Sequence, residues 1–150
     1  MTLSRVIATI FGLGYFPLGS GTLASAAGLV IFLLLQHNIV LYLGTTVLFL
    51  ALGFLTSGRV ERTLNDKDPS CVVIDEVAGA MIAFYLLPVT TPVLITAFFL
   101  FRAFDMFKVF PANRFESKAG SFGIMMDDVI AGLYTNIIMH VALILKDILR

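Results

Sequence analysis

Long apolar runs broken by short polar stretches divide this chain into segments of helical length. One run extends from about Thr22 to Leu35 and the next from about Ile39 to Ser57, with Gln36-His37-Asn38 as the turn of an antiparallel hairpin. A third spans about Cys71 to Leu87 and ends at Pro88. A fourth starts near Pro92 and reaches Phe107, and a fifth covers about Asp128 to Leu145. Pro88 and Pro92 stand at helix boundaries, where proline is tolerated. Some runs fall short of the ~20 residues that cross ~30 Å of hydrocarbon, and are either extended by flanking residues or packed behind longer neighbours. The first 21 residues are apolar from Leu3 to Tyr15 but interrupted by Gly12, Gly14, Gly19 and Gly21, which suits an interfacial or re-entrant segment.

Composition turns these runs into membrane helices. The chain is 59% hydrophobic and 13% charged, with a mean hydropathy of +0.97, whereas soluble domains carry about 25% charged residues. The pattern predicts an all-α, polytopic membrane helical bundle with four to five membrane-embedded helices, a single domain over residues 1–150. A net charge of zero gives no case for nucleic acid. Cys71 is alone, so an intrachain disulfide is excluded. No basic stretch followed by an apolar core and a small-residue cleavage site opens the chain, and the amino terminus is expected to be retained.

Helix direction gathers the scattered charges. Runs one, three and five begin at Gly19-Ser20-Gly21-Thr22, Asp75-Glu76 and Asp127-Asp128; runs two and four end at Arg59/Arg62 and Arg102/Asp105/Lys108. With alternating crossings all of these reach one membrane face, together with Lys67, Arg114 and Lys118. Lys146 and Arg150 fall on the other. The positive-inside rule makes the charged face cytoplasmic. The expectation is a multi-pass membrane protein with its active site facing the cytoplasm.

Charge in so apolar a chain is expensive and marks a site. Arg102, Asp105 and Lys108 are spaced i, i+3, i+6 and share one helical face. They are either a snorkelling cluster or two cations for phosphate oxygens beside a carboxylate that ligates metal or acts as base. Asp127-Asp128 is expected to open the last helix. One Asp caps it while the other, about 100° round, faces the site. Asp75-Glu76 has no basic residue within four positions, and a close carboxylate pair calls for a cation; Mg2+ accepts such ligands together with phosphate oxygens. Gly19-Ser20-Gly21-Thr22 reads as a helix start or as free amides for phosphate, and Gly120-Ser121-Phe122-Gly123 as a flexible loop or a phosphate-facing nest. Cysteine and histidine phosphatase chemistry is excluded, because Val77 stands six residues after Cys71, and His37 and His140 lie away from the charged face. Asp66-Lys67-Asp68 reads as a polar loop.

Three blocks resemble the bacterial phosphatidylglycerophosphatase A family: IDEVAGAMIAF (74 to 84), FRAFDMFK (101 to 108) with Pro111, Arg114 and Glu116, and GIMMDDVIAG (123 to 132). FGLGYFPLGSGT (11 to 22) is similar to that family's first block, so the resemblance covers nearly the whole chain. Ser20, Val109 and Ser121 depart from the family's usual Pro, Pro and Gly. The resemblance implies Mg2+-dependent removal of the terminal phosphate of phosphatidylglycerophosphate, giving phosphatidylglycerol. It implies metal ligands at Asp75, Glu76, Asp127 and Asp128, catalytic roles for Asp105, Asp127 and Asp128, and phosphate binding by Arg102, Lys108 and Thr22. Attack by water and a phospho-aspartyl route through Asp105 or Asp127 both fit, and oligomeric state is not encoded legibly. Two other classes use the same carboxylates differently. A small ion or proton transporter requires a charged path to both faces, and a structural subunit requires no particular acid. The acidic signature of a CDP-alcohol phosphotransferase is absent.

Overall fold

The computed structural model describes residues 2–111, 114 and 119–149. Among these residues all regular structure is helical, with no strand. The helices are α1 (Leu3–Ala8), α2 (Ser20–Leu35), α3 (Ile39–Leu64), α4 (Ile74–Phe84), α5 (Thr91–Phe107) and α6 (Ser121–Ile148), with a 3-10 turn at Leu13–Tyr15. Local chemistry sets several ends. The Asn38 side chain accepts from the Leu41 amide (3.0 Å) and starts α3, and Asn65 ends it in the left-handed region (φ 50°). Pro92 sits in the first turn of α5, where no backbone donor is missed.

Two helices, α3 and α6, are long and apolar enough to cross a membrane. Their outer faces carry exposed aliphatic stripes, Val40, Val47, Leu48 and Leu55 on α3 and Leu133, Ile137, Val141, Ile144 and Ile148 on α6. Apolar surface that continuous fits lipid better than water. The hairpin turn at 36–38 is present between α2 and α3. The third run is shorter than the expected 71–87 and is one that packs behind longer neighbours: α4 has only 11 residues, about 16 Å of helix, and is not long enough to span.

Instead α4 is the buried axis of the bundle, packed against α2, α3, α5 and α6. Val77, Ala78, Ala80, Met81, Ala83 and Phe84 are fully enclosed, with Phe32, Phe101 and Ala131 around them. A second cluster joins Ala8, Val60, Ile74, Ile124 and Met125. The chain leaves α4 inside the bundle, where its last carbonyls need donors. Tyr42 donates to Met81, and Asn136 donates to Ala83 (3.2 Å) and Tyr85 (2.7 Å). His140 Nε2 lies 3.2 Å from the same Tyr85 carbonyl. Where α4 crosses α6 the backbones touch: a methyl on Gly132 would overlap the Gly79 carbonyl, and one on Gly79 would lie 2.7 Å from that of Asp128. Small residues permit this approach.

Two boundaries correct the sequence reading. α3 runs seven residues past Ser57, because Gly58 is a packing position against Ser121 rather than a helix end. α6 starts at Ser121 rather than Asp128, with Gly120 as its N-cap. Asp127 and Asp128 therefore lie about two turns inside α6 and cap nothing.

Candidate active site

A cleft of about 750 Å³ opens at the end of the bundle where α2 and α4 begin and α5 ends. The 3-10 segment contributes Tyr15 and Phe16, and α2 contributes Ser20 and Gly21. The α3–α4 loop adds Asp68 to Cys71, α4 adds Asp75 and Glu76, and α6 adds Asp127 and Asp128. From α5 come Arg102, Asp105 and Lys108. The close crossing at Gly79 and Gly132 is what carries the first turn of α4 up to Asp128.

Asp75, Glu76 and Asp128 form one group, with an oxygen of each within 4.8 Å of the others. Asp75 and Asp128 are buried, and Asp75 Oδ1, Glu76 Oε2 and Asp128 Oδ1 have no hydrogen-bond partner among the described residues. Two buried carboxylates and a half-buried third so close repel one another and lack the solvation that would offset it. Hard oxygen donors converging from two helices are the donor set that a divalent cation such as Mg2+ accepts.

The cations come from α5, and Arg102 reaches the same spot beside Gly21 as Glu76. Arg102 pairs with Asp105, and its Nη1 also donates to Ser25 Oγ (3.4 Å), while Ser25 donates to the Gly21 carbonyl (2.8 Å). Its buried Nε has no partner among the described residues. Lys108 ends α5 in the left-handed region (φ 43°) and places Nζ 3.0 Å from Asp127 Oδ2 and 3.6 Å from Asp68 Oδ2. Asp127 thus turns toward Lys108, whereas its neighbour Asp128 joins the acidic trio. Among the described residues that line this cleft, six carboxylates meet two cations, a balance that invites added positive charge.

The structure gathers Asp75, Glu76, Arg102, Asp105, Lys108, Asp127 and Asp128 in one place. Thr22 does not line the cleft; it is exposed on α2, and Ser20 and Gly21 hold the wall instead. Gly120 is not a phosphate nest: its amide donates to the Glu61 carboxylate (2.9 Å), and Ser121 Oγ accepts from the Gly58 amide (2.7 Å), tying α6 to α3. Arg62 donates to the Gly58 carbonyl (3.1 Å), and Arg114 lies over the Phe110 ring (4.8 Å). Glu116, Lys118 and Arg150 lie outside the described residues. Sequence reasoning missed Ser25, which only its i, i+4 spacing from Gly21 could have suggested. It also missed Asp68, which left no signal distinct from an ordinary polar loop.

A helical bundle that is apolar outside and gathers acids and cations in one cleft at one end belongs to the membrane-associated enzymes. Residues 6–143 match the family model of phosphatidylglycerophosphatase A, and the chain belongs to that family; it is a lipid phosphatase. Relatives include phosphatidylglycerophosphatase A of Haemophilus influenzae, 33% identical over 90% of this chain and 85% of that one. Its Escherichia coli counterpart is 29% identical over 91% and 81%. A Bacteroides thetaiotaomicron protein, provisionally named a phosphatidylinositol-3-phosphatase, is 36% identical over 93% of each chain. No solved structure matches.

Proposed function

We propose that the protein is a Mg2+-dependent phosphatidylglycerophosphatase, hydrolysing the terminal monoester of phosphatidylglycerophosphate to phosphatidylglycerol and phosphate. The observation that carries this is the acidic trio Asp75, Glu76 and Asp128, with three oxygens unpartnered among the described residues, in one cleft with Arg102 and Lys108 at one end of the bundle. Two of the three relatives named above bear this activity in their names. We place the cleft at the cytoplasmic surface of the bacterial inner membrane, on the positive-inside argument, with α2 and α5 embedded beside α3 and α6.

Asp75, Glu76 and Asp128 would hold Mg2+, which supplies charge neutralisation for phosphoryl oxygens and a more acidic bound water. Arg102 and Lys108 bind the phosphoryl oxygens and stabilise the charge that spreads over them in the transition state. Asp127, beside Lys108, takes the proton of the attacking water as its oxygen bonds to phosphorus. The ester P–O bond breaks with its electron pair on the glycerol oxygen, which takes a proton from water at the open mouth of the cleft. Arg102 holds Asp105 and Lys108 holds Asp127, which favours water over either carboxylate as nucleophile. The acyl chains stay in lipid throughout.

The transport reading is not favoured: among the described residues, Met81, Phe84 and Phe101 fill the bundle interior beyond Gly79, and the site's carboxylates and cations stay at one end. The test is phosphate release in detergent from phosphatidylglycerophosphate, phosphatidylinositol 3-phosphate and phosphatidic acid, each with Mg2+ and with chelator. The expected result is fastest release from phosphatidylglycerophosphate and none with chelator. Preference for the inositol lipid overturns the substrate, and chelator-resistant activity overturns the metal.

A further inference from the structure

Among the described residues, Lys108 pairs with two carboxylates of unequal standing. Asp127 is the inner one, on α6, at 3.0 Å and with 8% of its side chain exposed. Asp68 is the outer one, at 3.6 Å and 46% exposed. Asp68 belongs to the α3–α4 loop, which is fixed on both sides of it. Asn65 closes α3, the Val73 amide donates to the Ala8 carbonyl (3.0 Å), and Ser20 Oγ donates to the Ser70 carbonyl (3.4 Å). The loop therefore presents the Asp68 carboxylate at the mouth of the cleft rather than letting it drift in solvent.

A phosphate entering from that mouth reaches the outer side of Lys108, where Asp68 already stands. Two anions cannot share that side without repulsion, and the outer pair is the weaker, being longer and wetter. The inner pair stays in place because it is shorter and shielded. We infer that Asp68 is an exchangeable counter-ion: it holds Lys108 oriented into the empty cleft, gives way to an incoming phosphate, and competes with product phosphate for the same ammonium group. Asp68 acts through Lys108, as a positioning residue that touches no reacting atom. The inference rests on the phosphatase reading of the cleft and adds a residue to it.

The sign of the effect separates this role from others. A metal ligand or a structural anchor weakens anion binding when removed, whereas a competing counter-ion strengthens it. Calorimetric titration of the detergent-solubilised, Mg2+-supplemented protein with inorganic phosphate reads this without turnover. Asp68→Asn should bind phosphate about two- to fivefold tighter, the span that an exposed ion pair is worth. In lipid hydrolysis it should lower KM and product-inhibition Ki by more than it changes kcat. Asp66→Asn, an exposed acid on the same loop that does not line the cleft, should leave phosphate affinity where it was. Asp68→Glu, which keeps the charge, should bind phosphate more weakly than Asp68→Asn. Unchanged or weaker phosphate binding by Asp68→Asn overturns the counter-ion role, as does an equal gain in Asp66→Asn or in Asp68→Glu. A wild-type protein that binds no phosphate overturns the reading of the cleft itself.

Discussion

Asp127 and Asp128 are adjacent in sequence but have different surroundings. Asp128 faces Asp75 and Glu76 with an oxygen that nothing described satisfies, while Asp127 meets Lys108. Their substitutions should therefore separate. Asp128→Asn removes a donor from the proposed Mg2+ site and should raise the half-saturating Mg2+ concentration by at least about tenfold. Asp127→Asn removes the proposed base and should lower kcat by about 10²- to 10⁴-fold with little shift in Mg2+ demand. Mg2+ titrations of initial rate on both variants check this, and identical shifts would merge the two roles. The buried acids were legible in the sequence because a charge inside an apolar run has few structural excuses. Asp68 was not, since a polar loop offers a carboxylate the same surroundings whether or not it leans over a cleft.

Helix α4 is where element and site meet. It is too short to span, so its position depends on neighbours: donors from Tyr42 and Asn136 at its end, and the Gly79–Gly132 contact along its side. Gly132→Ala pits two effects against each other. Alanine gains up to about 1 kcal/mol in helix propensity. The added methyl must also push back the Gly79 carbonyl, and overpacking against atoms that cannot rotate away costs about 1–3 kcal/mol. Overpacking wins, so thermal unfolding in detergent should shift down and phosphate release should fall as α4 moves from Asp128. A raised unfolding temperature would show that the crossing is loose. Neither glycine announced this contact in the sequence. The same ambiguity touches two boundaries: the second apolar run stops at Ser57, one residue before Gly58, and the Gly120–Gly123 stretch reads as a loop or nest. Glycine in a helix is read as a stop unless the partner backbone is known.

For the whole molecule, the hydrophobic pattern was enough to place the charged helix ends together, because antiparallel runs of similar length return to the same side. It could not show that one run is enclosed by the others, since a buried core helix and a lipid-facing helix are equally apolar. Orientation in the membrane follows from charge alone and is open to measurement. Helix α3 has 26 residues, about 39 Å from end to end, with exposed His37 just before it and exposed Asp66 just after it. A crossing α3 would put the two positions beyond opposite edges of a ~30 Å hydrocarbon layer. His37→Cys should react with a membrane-impermeant thiol reagent in intact spheroplasts. Asp66→Cys should react only once the membrane is opened, with the parent chain reporting any background from Cys71. The reverse pattern would turn the cleft outward, and equal labelling of both would mean that α3 lies along the surface instead of crossing.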